Sequence, residues 1–560
     1  MAGTTSERLS TPPRPPVANP GRARLASSLF ALALLVSIGV SAFDIYVLAN
    51  HTPQNSDAVQ SFLEARSVLN GNVLLSGWHL ARDNFIFTDL PFFVVTRWLF
   101  GSWPGSLAAT PALIYVLILG AALAASLNSL RPSPRNVIAL ATVILLMGLP
   151  AAGPYLPMLL ADTHAASILF SLVAFLLLAA LARAERIRER SLTAVVLAVT
   201  TYAAAASDLF TVFFAFVPAL FVLVIDFSLL PRRRTAGLIA IVAASCVLGG
   251  FTPLALLHLG GFVTESTLIF AVVTEKQFGE TIAGFFFGLL KNAGADIFGR
   301  DFGKTGLIAG TVAHAARLTG WVLGSIAASR TLLNPRRRTD ISLLDRLLIV
   351  SIASLTTFCI LSRTFELALS GKVDPFAGDS AMRYLSPILV FGTVLAARAI
   401  PTIVANLPAK GLRILVAGAL VTLAGGLAIG HSNRMTRLMA SPPWTVANPF
   451  LAAASWLESR HLTSGVGEYW TSSIITALSK GRVTVRAVQA PPQGRRLVPY
   501  LWLASALWYH ATATPMFVIW RNSDPSANVN LETVTATYGP PRRLVRLDGF
   551  EIAVLREPER

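Results

Sequence analysis

Residues 51–101 read HTPQNSDAVQSFLEARSVLNGNVLLSGWHLARDNFIFTDLPFFVVTRWLFG, and their placement decides the fold. The stretch follows the first long apolar run directly and carries three aspartates, Asp57, Asp83 and Asp89. Starting at Asp57, the apolar positions Val59, Phe62, Leu63, Val68 and Leu69 recur at a spacing that buries one face of a short helix. A helix of that kind lies on a membrane surface instead of crossing it. The stretch is therefore expected to be a long loop at the bilayer rim, held between membrane spans.

The rest of the chain supports that setting. Of its 560 residues, 54% are hydrophobic and 13% charged, and the mean hydropathy is +0.62, as in an integral membrane protein. Leu25 to Leu48 forms the first apolar run. Its VSA tripeptide ending at Ala42 matches a signal-peptidase site, but the run continues to Leu48, which favours an uncleaved span. Further runs follow near Ser106–Leu127, Asn136–Leu149, Thr163–Ala182, Ser191–Ala206, Leu209–Leu230 and Thr235–Leu257. Four more lie near Gly306–Leu333, Leu344–Leu361, Tyr384–Val404 and Leu412–Gly430. At ~20 residues per span this makes about eleven transmembrane helices.

Charge sets the expected orientation. The formal net charge is +17, and the basic residues cluster between apolar runs. Arg131 and Arg135, the RAERIRER cluster from Arg183, Arg232–Arg234, Arg336–Arg338, and Lys410 with Arg413 fall at every second junction. The positive-inside rule then places the N-terminus in the cytoplasm of a bacterial inner membrane and the C-terminus outside. No basic helix or RNA-binding motif accompanies the charge, so nucleic acid is not an expected partner; the lipid bilayer is. Cys246 and Cys359 both lie in apolar runs, which argues against a disulfide framework.

Three segments follow from this layout. Residues 1–24 are rich in Pro, Ser and Arg and read as a disordered cytoplasmic tail. Residues 25–430 form the membrane domain, with long external loops at 49–105, 258–305 and 363–383. The second of these loops contains apolar runs too short to span and suited to the interface. From residue 431 onward span-length runs end and turn signals such as SPP, APPQG and GPP appear, so residues 431–560 read as a small external α/β domain. Its expected elements are a helix over Asn448–His461 and strands over Arg482–Val488, Pro515–Trp520 and Arg546–Leu555. The fold class is mainly α, a polytopic membrane protein with this α/β domain appended.

Several ionisable residues stand where chemistry could use them. Asp57 and Gln60 also form a capping-box pattern, so a helix N-cap competes with a chemical role. Asp83 and Asp89 flank a Pro turn, and the spacing of the three carboxylates fixes no geometry. Asp162 and His164 sit together at the outer end of the fourth span, too few for a metal assignment by themselves. Arg383 either anchors a span end or binds an anion through its planar fork, while Tyr384 suits an interfacial aromatic belt. Arg317 and His314 share a helix face inside the eighth span, where a charge must meet a polar cavity or a partner. Lys276, Lys291, Arg300 and Lys304 are further cations in the second long loop. The sequence has no GxxxxGK[ST], HExxH, GxSxG or CxxC motif, which disfavours ATP hydrolysis, zinc proteolysis and elbow-type serine hydrolysis.

DAVQSFLEARSVLNGN, Asp57 through Asn72, resembles the first external loop of GT-C-type membrane glycosyltransferases, with Asp57, Ala65, Leu69, Gly71 and Asn72 at matching places. Ala58 stands where many members carry a second acidic residue. MRYLSP at Met382–Pro387 resembles the entry to a late span in that superfamily, and GEYWTSSIITALSKGRVTVRAV (Gly467–Val488) resembles the tail of GT-C-like bacterial proteins. The resemblance implies transfer of a sugar from a polyprenyl-phosphate donor to a glycan, lipid or protein acceptor of the cell envelope, outside the membrane and with inversion. On that expectation Asp57 is the catalytic base, and Asp83, Asp89, Asp162 and His164 are supporting residues. Arg383, Tyr384, Arg317 and Lys276 are the candidates for the donor phosphate. No cofactor is assigned, and a divalent metal ion is left open. A transporter or flippase using Asp44 and Arg317, with Asp208 closer to an external junction, and a non-enzymatic envelope assembly factor are the alternatives.

Overall fold

The computed structural model describes residues 20–54, 56–101, 105–127, 133–148, 164–225, 231–265, 272–293, 342–362, 382–405, 435–444, 446–491, 494–509, 514–521 and 528–557, with single positions at 315, 318, 322, 425 and 432. The expected eighth and eleventh spans, and with them His314, Arg317 and Asp162, lie outside the described residues, as do Arg300, Lys304 and most of the third loop.

The described part is a multi-pass membrane protein. Six helices are long and apolar enough to cross a bilayer. They are α1 (Pro20–His51), α4 (Ser106–Ser126), α6 (Ala165–Arg183), α9 (Arg232–His258), α11 (Leu343–Leu361) and α12 (Ser386–Ala405). Around them stand α2 (Ser56–Leu69), α3 (Leu90–Phe100), α5 (Pro134–Gly148), α7 (Ile187–Ser207), α8 (Leu209–Ile225) and α10 (Glu275–Asn292). Helices α5 and α8 contain π-helical turns at Ile144–Gly148 and Val212–Phe216. A π-turn leaves backbone groups to be satisfied from elsewhere, and the Tyr115 hydroxyl of α4 donates to the Met147 carbonyl at 2.9 Å. Lipid has no water to do this, so the buried tyrosine completes the ladder.

An ion pair lies inside the bundle. Arg398, mid-way along α12, donates from Nε to Asp345 Oδ1 at 2.5 Å and from Nη2 to Asp345 Oδ2 at 3.3 Å. Its remaining donors reach the Ser342 hydroxyl and the Ala125 carbonyl, both at 3.0 Å. One guanidinium thus ties α4, α11 and α12 together. Asp345→Ala is expected to cost ~2–3 kcal/mol, below the 3–5 kcal/mol of a fully buried pair because each side chain keeps about a fifth of its surface exposed. A thermal midpoint in detergent that did not fall would show that the pair is dispensable.

The C-terminal region is α/β, as expected. A sheet runs in the order β5-β4-β3-β7-β9-β8, from strands β3 (Ser464–Gly467), β4 (Thr484–Gln489), β5 (Val498–Pro499), β7 (Phe517–Arg521), β8 (Arg543–Leu547) and β9 (Phe550–Val554). The central pairs β4–β3 and β3–β7 are parallel and the outer ones antiparallel. Helices α13 (Pro449–Ser459), α14 (Tyr469–Leu478) and α15 (Leu531–Tyr538) accompany it. The expected helix and three strands all appear, and the Asn448 side chain caps α13 by accepting from Leu451 N–H at 2.9 Å.

This domain is stitched to the loop at 51–101. Val59, Phe62, Leu63, Trp78 and Phe93 share one hydrophobic core with Ile474, Ile475, Val485, Phe517 and Phe550. A second sheet, β2-β1-β6, joins all three regions: β1 (Trp78–Ala81) pairs with β2 (Val263–Glu265) of the second long loop and with β6 (Ala504–Ser505) of the C-terminal domain. The surface helix α2 is therefore not lying free on a membrane. Most of it is buried under the C-terminal domain, and its apolar face is spent on protein. In contrast, the second loop's helix α10 leaves Phe278, Phe286 and Phe287 exposed, as an interfacial helix does.

Candidate active site

The first turn of α2 carries Asp57 toward the C-terminal domain. The Ser56 hydroxyl donates to the Tyr469 carbonyl at 2.7 Å, and the Tyr469 hydroxyl donates in return to Asp57 Oδ1. Tyr500 stacks edge-on against Tyr469 at 5.3 Å. Burial pushes the Asp57 carboxyl above its ordinary value, although the Tyr469 hydrogen bond and the charge of Arg383 both pull it down. Asp57 keeps partial exposure, so a substrate can reach it. Its carboxylate bonds to the neighbouring domain, which is more than a helix cap would need.

Arg383 lies in the 3-10 turn Met382–Leu385 that opens into α12. Its guanidinium is aligned by Tyr384: one Nη donates to the Tyr384 hydroxyl at 3.3 Å, and the carbon sits 5.1 Å from that ring. Nε is buried without a partner among the described residues, and the residue as a whole is partly exposed. Arg383 acts electrostatically on both Asp57 and Asp83, so it stands between two carboxylates from different parts of the same loop. Tyr384 is not a belt residue facing lipid headgroups. It packs against His164 at 5.3 Å and Phe210 at 5.0 Å.

On the far side of Arg383 a second group assembles where RDNFIFTD meets the α7–α8 junction. Asn84 donates to Ala206 O at 3.1 Å, Phe85 N–H to Ser207 O at 3.1 Å, and Phe87 N–H to the Ser207 hydroxyl at 2.8 Å. This fixes Asp83, which accepts from Leu209 N–H at 3.1 Å. His164, left-handed at φ 64° just before α6, meets Asp208 through Nδ1 at 2.7 Å. Asp208 caps α8 by accepting from Phe210 N–H at 2.9 Å and also takes the Thr211 hydroxyl at 3.1 Å. Burial alone would raise Asp208, but His164 and the hydroxyls of Ser167 and Thr211 hold it below the usual range. Burial and the Asp208 charge raise Asp83 to about 6. Asp89, just before α3, is raised by burial to about 7.

One ligand atom each from Asp83, His164 and Asp208 lie within 4.8 Å of one another. Two carboxylates and an imidazole suit a divalent cation, and a cation there would offset the mutual repulsion of Asp83 and Asp208. The sequence-based pairing of His164 with Asp162 changes accordingly: the partner of His164 is Asp208, and Asp162 lies outside the described residues. Lys276 is exposed at the start of α10, and the cation that acts on Asp57 among the described residues is Arg383. Tyr469 was not singled out in the sequence, and Asp208 stood there only as an acid close to an external junction. Tyr469 lies inside the GEYW stretch, and Asp208 interrupts two apolar runs; an acid at such a junction was the available signal.

The buried side of α2 carries one more unusual acid. Glu64 is 3% exposed, has no hydrogen bond or cation from a described residue, and is pushed up by burial to about 8. The folded protein thus holds this proton to about pH 8, whereas a free glutamate releases it near 4.5. Stability is therefore expected to fall as pH rises between those values, by on the order of 4 kcal/mol over the interval at 1.36 kcal/mol per unit. Glu64→Gln should flatten this decline and raise the melting midpoint at pH 9 while leaving it nearly unchanged at pH 4. An unaltered pH–stability curve in the variant would mean that Glu64 is solvated.

No protein-family model matches the chain, and no curated protein matches it either. Solved structures do. ArnT from Cupriavidus metallidurans in the apo state superposes with a TM-score of 0.54 at 9% identity, covering 94% of this chain and 100% of that one. The same protein bound to undecaprenyl phosphate superposes with a TM-score of 0.51 at 12% identity, covering 95% and 99%. Membrane helices and C-terminal domain together, the chain shares the fold of ArnT over nearly its whole length.

Proposed function

We propose that this protein is an inverting glycosyltransferase that moves a sugar from a polyprenyl-phosphate donor to a hydroxyl acceptor at the external membrane surface. One observation carries the reading. A substrate-accessible carboxylate, Asp57, faces a guanidinium, Arg383, inside a fold shared with a chain crystallised with undecaprenyl phosphate. The acceptor oxygen attacks the anomeric carbon while the carbon–oxygen bond to the phosphate breaks. The acceptor proton passes to Asp57, and the polyprenyl phosphate leaves as an anion. Asp57 suits the base because burial raises its proton affinity while the Tyr469 hydroxyl fixes its direction. Arg383 suits the phosphate because its fork is pre-aligned by Tyr384 and charge builds on the leaving oxygen. A divalent cation held by Asp83, His164 and Asp208 would supply further positive potential near the same phosphate; Asp89 would support that group from behind.

In this reading residues 25–430 form the membrane domain and residues 431–560 the external domain, which supplies Tyr469 and closes over Asp57. The N-terminus is cytoplasmic. The direct test is turnover by purified protein in nanodiscs, supplied with a polyprenyl-phosphate sugar labelled in the sugar. Release of polyprenyl phosphate with labelled product of inverted anomeric configuration is expected. The same donor supplied to proteoliposomes and recovered chemically unchanged in their lumen would replace transfer with transport.

A further inference from the structure

A second polar cavity lies on the same helix as Asp57 but nine residues further along, roughly 13 Å at 1.5 Å per residue. It occupies about 240 Å³ in the seam between α2 and the C-terminal domain. Arg66 enters from α2 and Arg486 from β4, Trp78 and Trp508 form an aromatic wall, and Ser67 and Thr484 bring hydroxyls. None of the lining residues is acidic.

The two guanidinium groups are held in place by other means than ion pairing. Arg486 lies over the Trp508 ring at 4.4 Å, and Trp508 meets the edge of Trp78 at 4.9 Å. The Trp78 indole N–H donates to the Ser67 hydroxyl at 3.1 Å. Arg66 crosses Gly481, where a Cβ would come within 2.4 Å of its Nη1 and where φ is +80°. Neither arginine has a hydrogen bond or carboxylate partner among the described residues. Burial chiefly, with a smaller push from the charge of Arg66 and against the pull of Tyr509, depresses Arg486 to about 10, which expresses the cost of holding a guanidinium out of water beside a like charge. An anion between them would remove that cost.

We propose that this cavity anchors one anionic sugar unit of the acceptor, a hexuronate or a sugar phosphate. The guanidinium edges match a carboxylate or phosphate, and the indoles offer flat apolar faces to ring C–H groups. The volume falls below the roughly 300–1,000 Å³ of drug-sized ligands, enough for one sugar ring and too small for a lipid chain. The binding site stands on its own geometry; its assignment to an acceptor rests on the transferase reading above.

The test is calorimetric titration of the full chain in nanodiscs with methyl glucuronide, glucose 1-phosphate, methyl glucoside and inorganic phosphate. At least one anionic sugar is expected to bind ten-fold or more tightly than both the neutral glucoside and inorganic phosphate, and the stronger of the two identifies the anion. Arg66→Gln, at an exposed position, and Gly481→Ala, which displaces Arg66, should each weaken that binding at least ten-fold. The Asp57→Asn protein should bind unchanged, which separates this site from the catalytic reading. Equal binding of glucoside or of free phosphate would overturn the proposal, as would full affinity in Arg66→Gln. Transfer that proceeds while no anionic sugar binds would sink the anchoring site and leave the transferase standing. Binding without any transfer would remove the word acceptor and keep the sugar site.

Discussion

Asp57→Asn is expected to lower sugar transfer by roughly 10²–10⁴-fold, the range for loss of a positioned general base. The amide keeps the shape of the carboxylate and can still meet the Tyr469 hydroxyl, so α2 should stay docked on the C-terminal domain. What disappears is the capacity to accept a proton. Donor binding should survive, because the base touches the acceptor hydroxyl and not the phosphate. The signature is therefore a fall in kcat with little change in KM for the polyprenyl donor. In the parent protein the acid limb of the pH–rate profile should lie above the ordinary aspartate value, since burial raises Asp57 and activity requires the ionised form. Tyr469→Phe removes a donor that stabilises that ionised form, so the limb should move further toward alkaline pH. Asp57→Asn protein with near-normal turnover would remove Asp57 from the chemistry.

The sequence made the spans and the acidic loop visible for simple reasons. Apolar runs of span length and basic clusters at alternate junctions are local signals, and the six long helices lie where those runs are. The helix at Ser56–Leu69 was legible from its spacing, but its neighbour was not. The same apolar stripe serves a membrane surface or a protein domain, and only the tertiary structure shows Phe62 and Leu63 packed with Ile475 and Val485. Strand β1, four residues long, takes its conformation from partners about 185 and 426 residues away, such as Val263 and Ser505, so no local pattern announced it.

The site divides along the same line. Asp57 and Arg383 were readable because each sits in a short motif beside a span. The partnership of His164 depends on the α7–α8 junction folding against α6, which brings Asp208 in from 44 residues away. Asp162, its neighbour in sequence, lies outside the described residues. The backbone before α6 is left-handed at His164, which turns that side chain toward the junction.

Arg383→Gln is expected to lower kcat/KM by roughly 10²–10³-fold, as for removal of a main electrostatic contact to a charge that grows in the transition state. Arg383→Lys should recover only part of the loss, because an ammonium places a point charge where a planar fork is aligned by the Tyr384 hydroxyl and ring. The residue also influences the base. Its charge and the Tyr469 hydrogen bond together pull the Asp57 carboxyl down against burial, and its charge lowers Asp83 as well. Neutralising it must therefore raise Asp57 further, and the acid limb of the pH–rate profile should shift to higher pH in Arg383→Gln but hold in Arg383→Lys. A residue that merely anchored the start of α12 would change stability and leave that limb in place. Measured together, the rate loss and the alkaline shift identify a cation facing both the leaving phosphate and the base. A rate loss with an unmoved limb would leave Arg383 as a structural residue, and the phosphate contact would have to come from another cation.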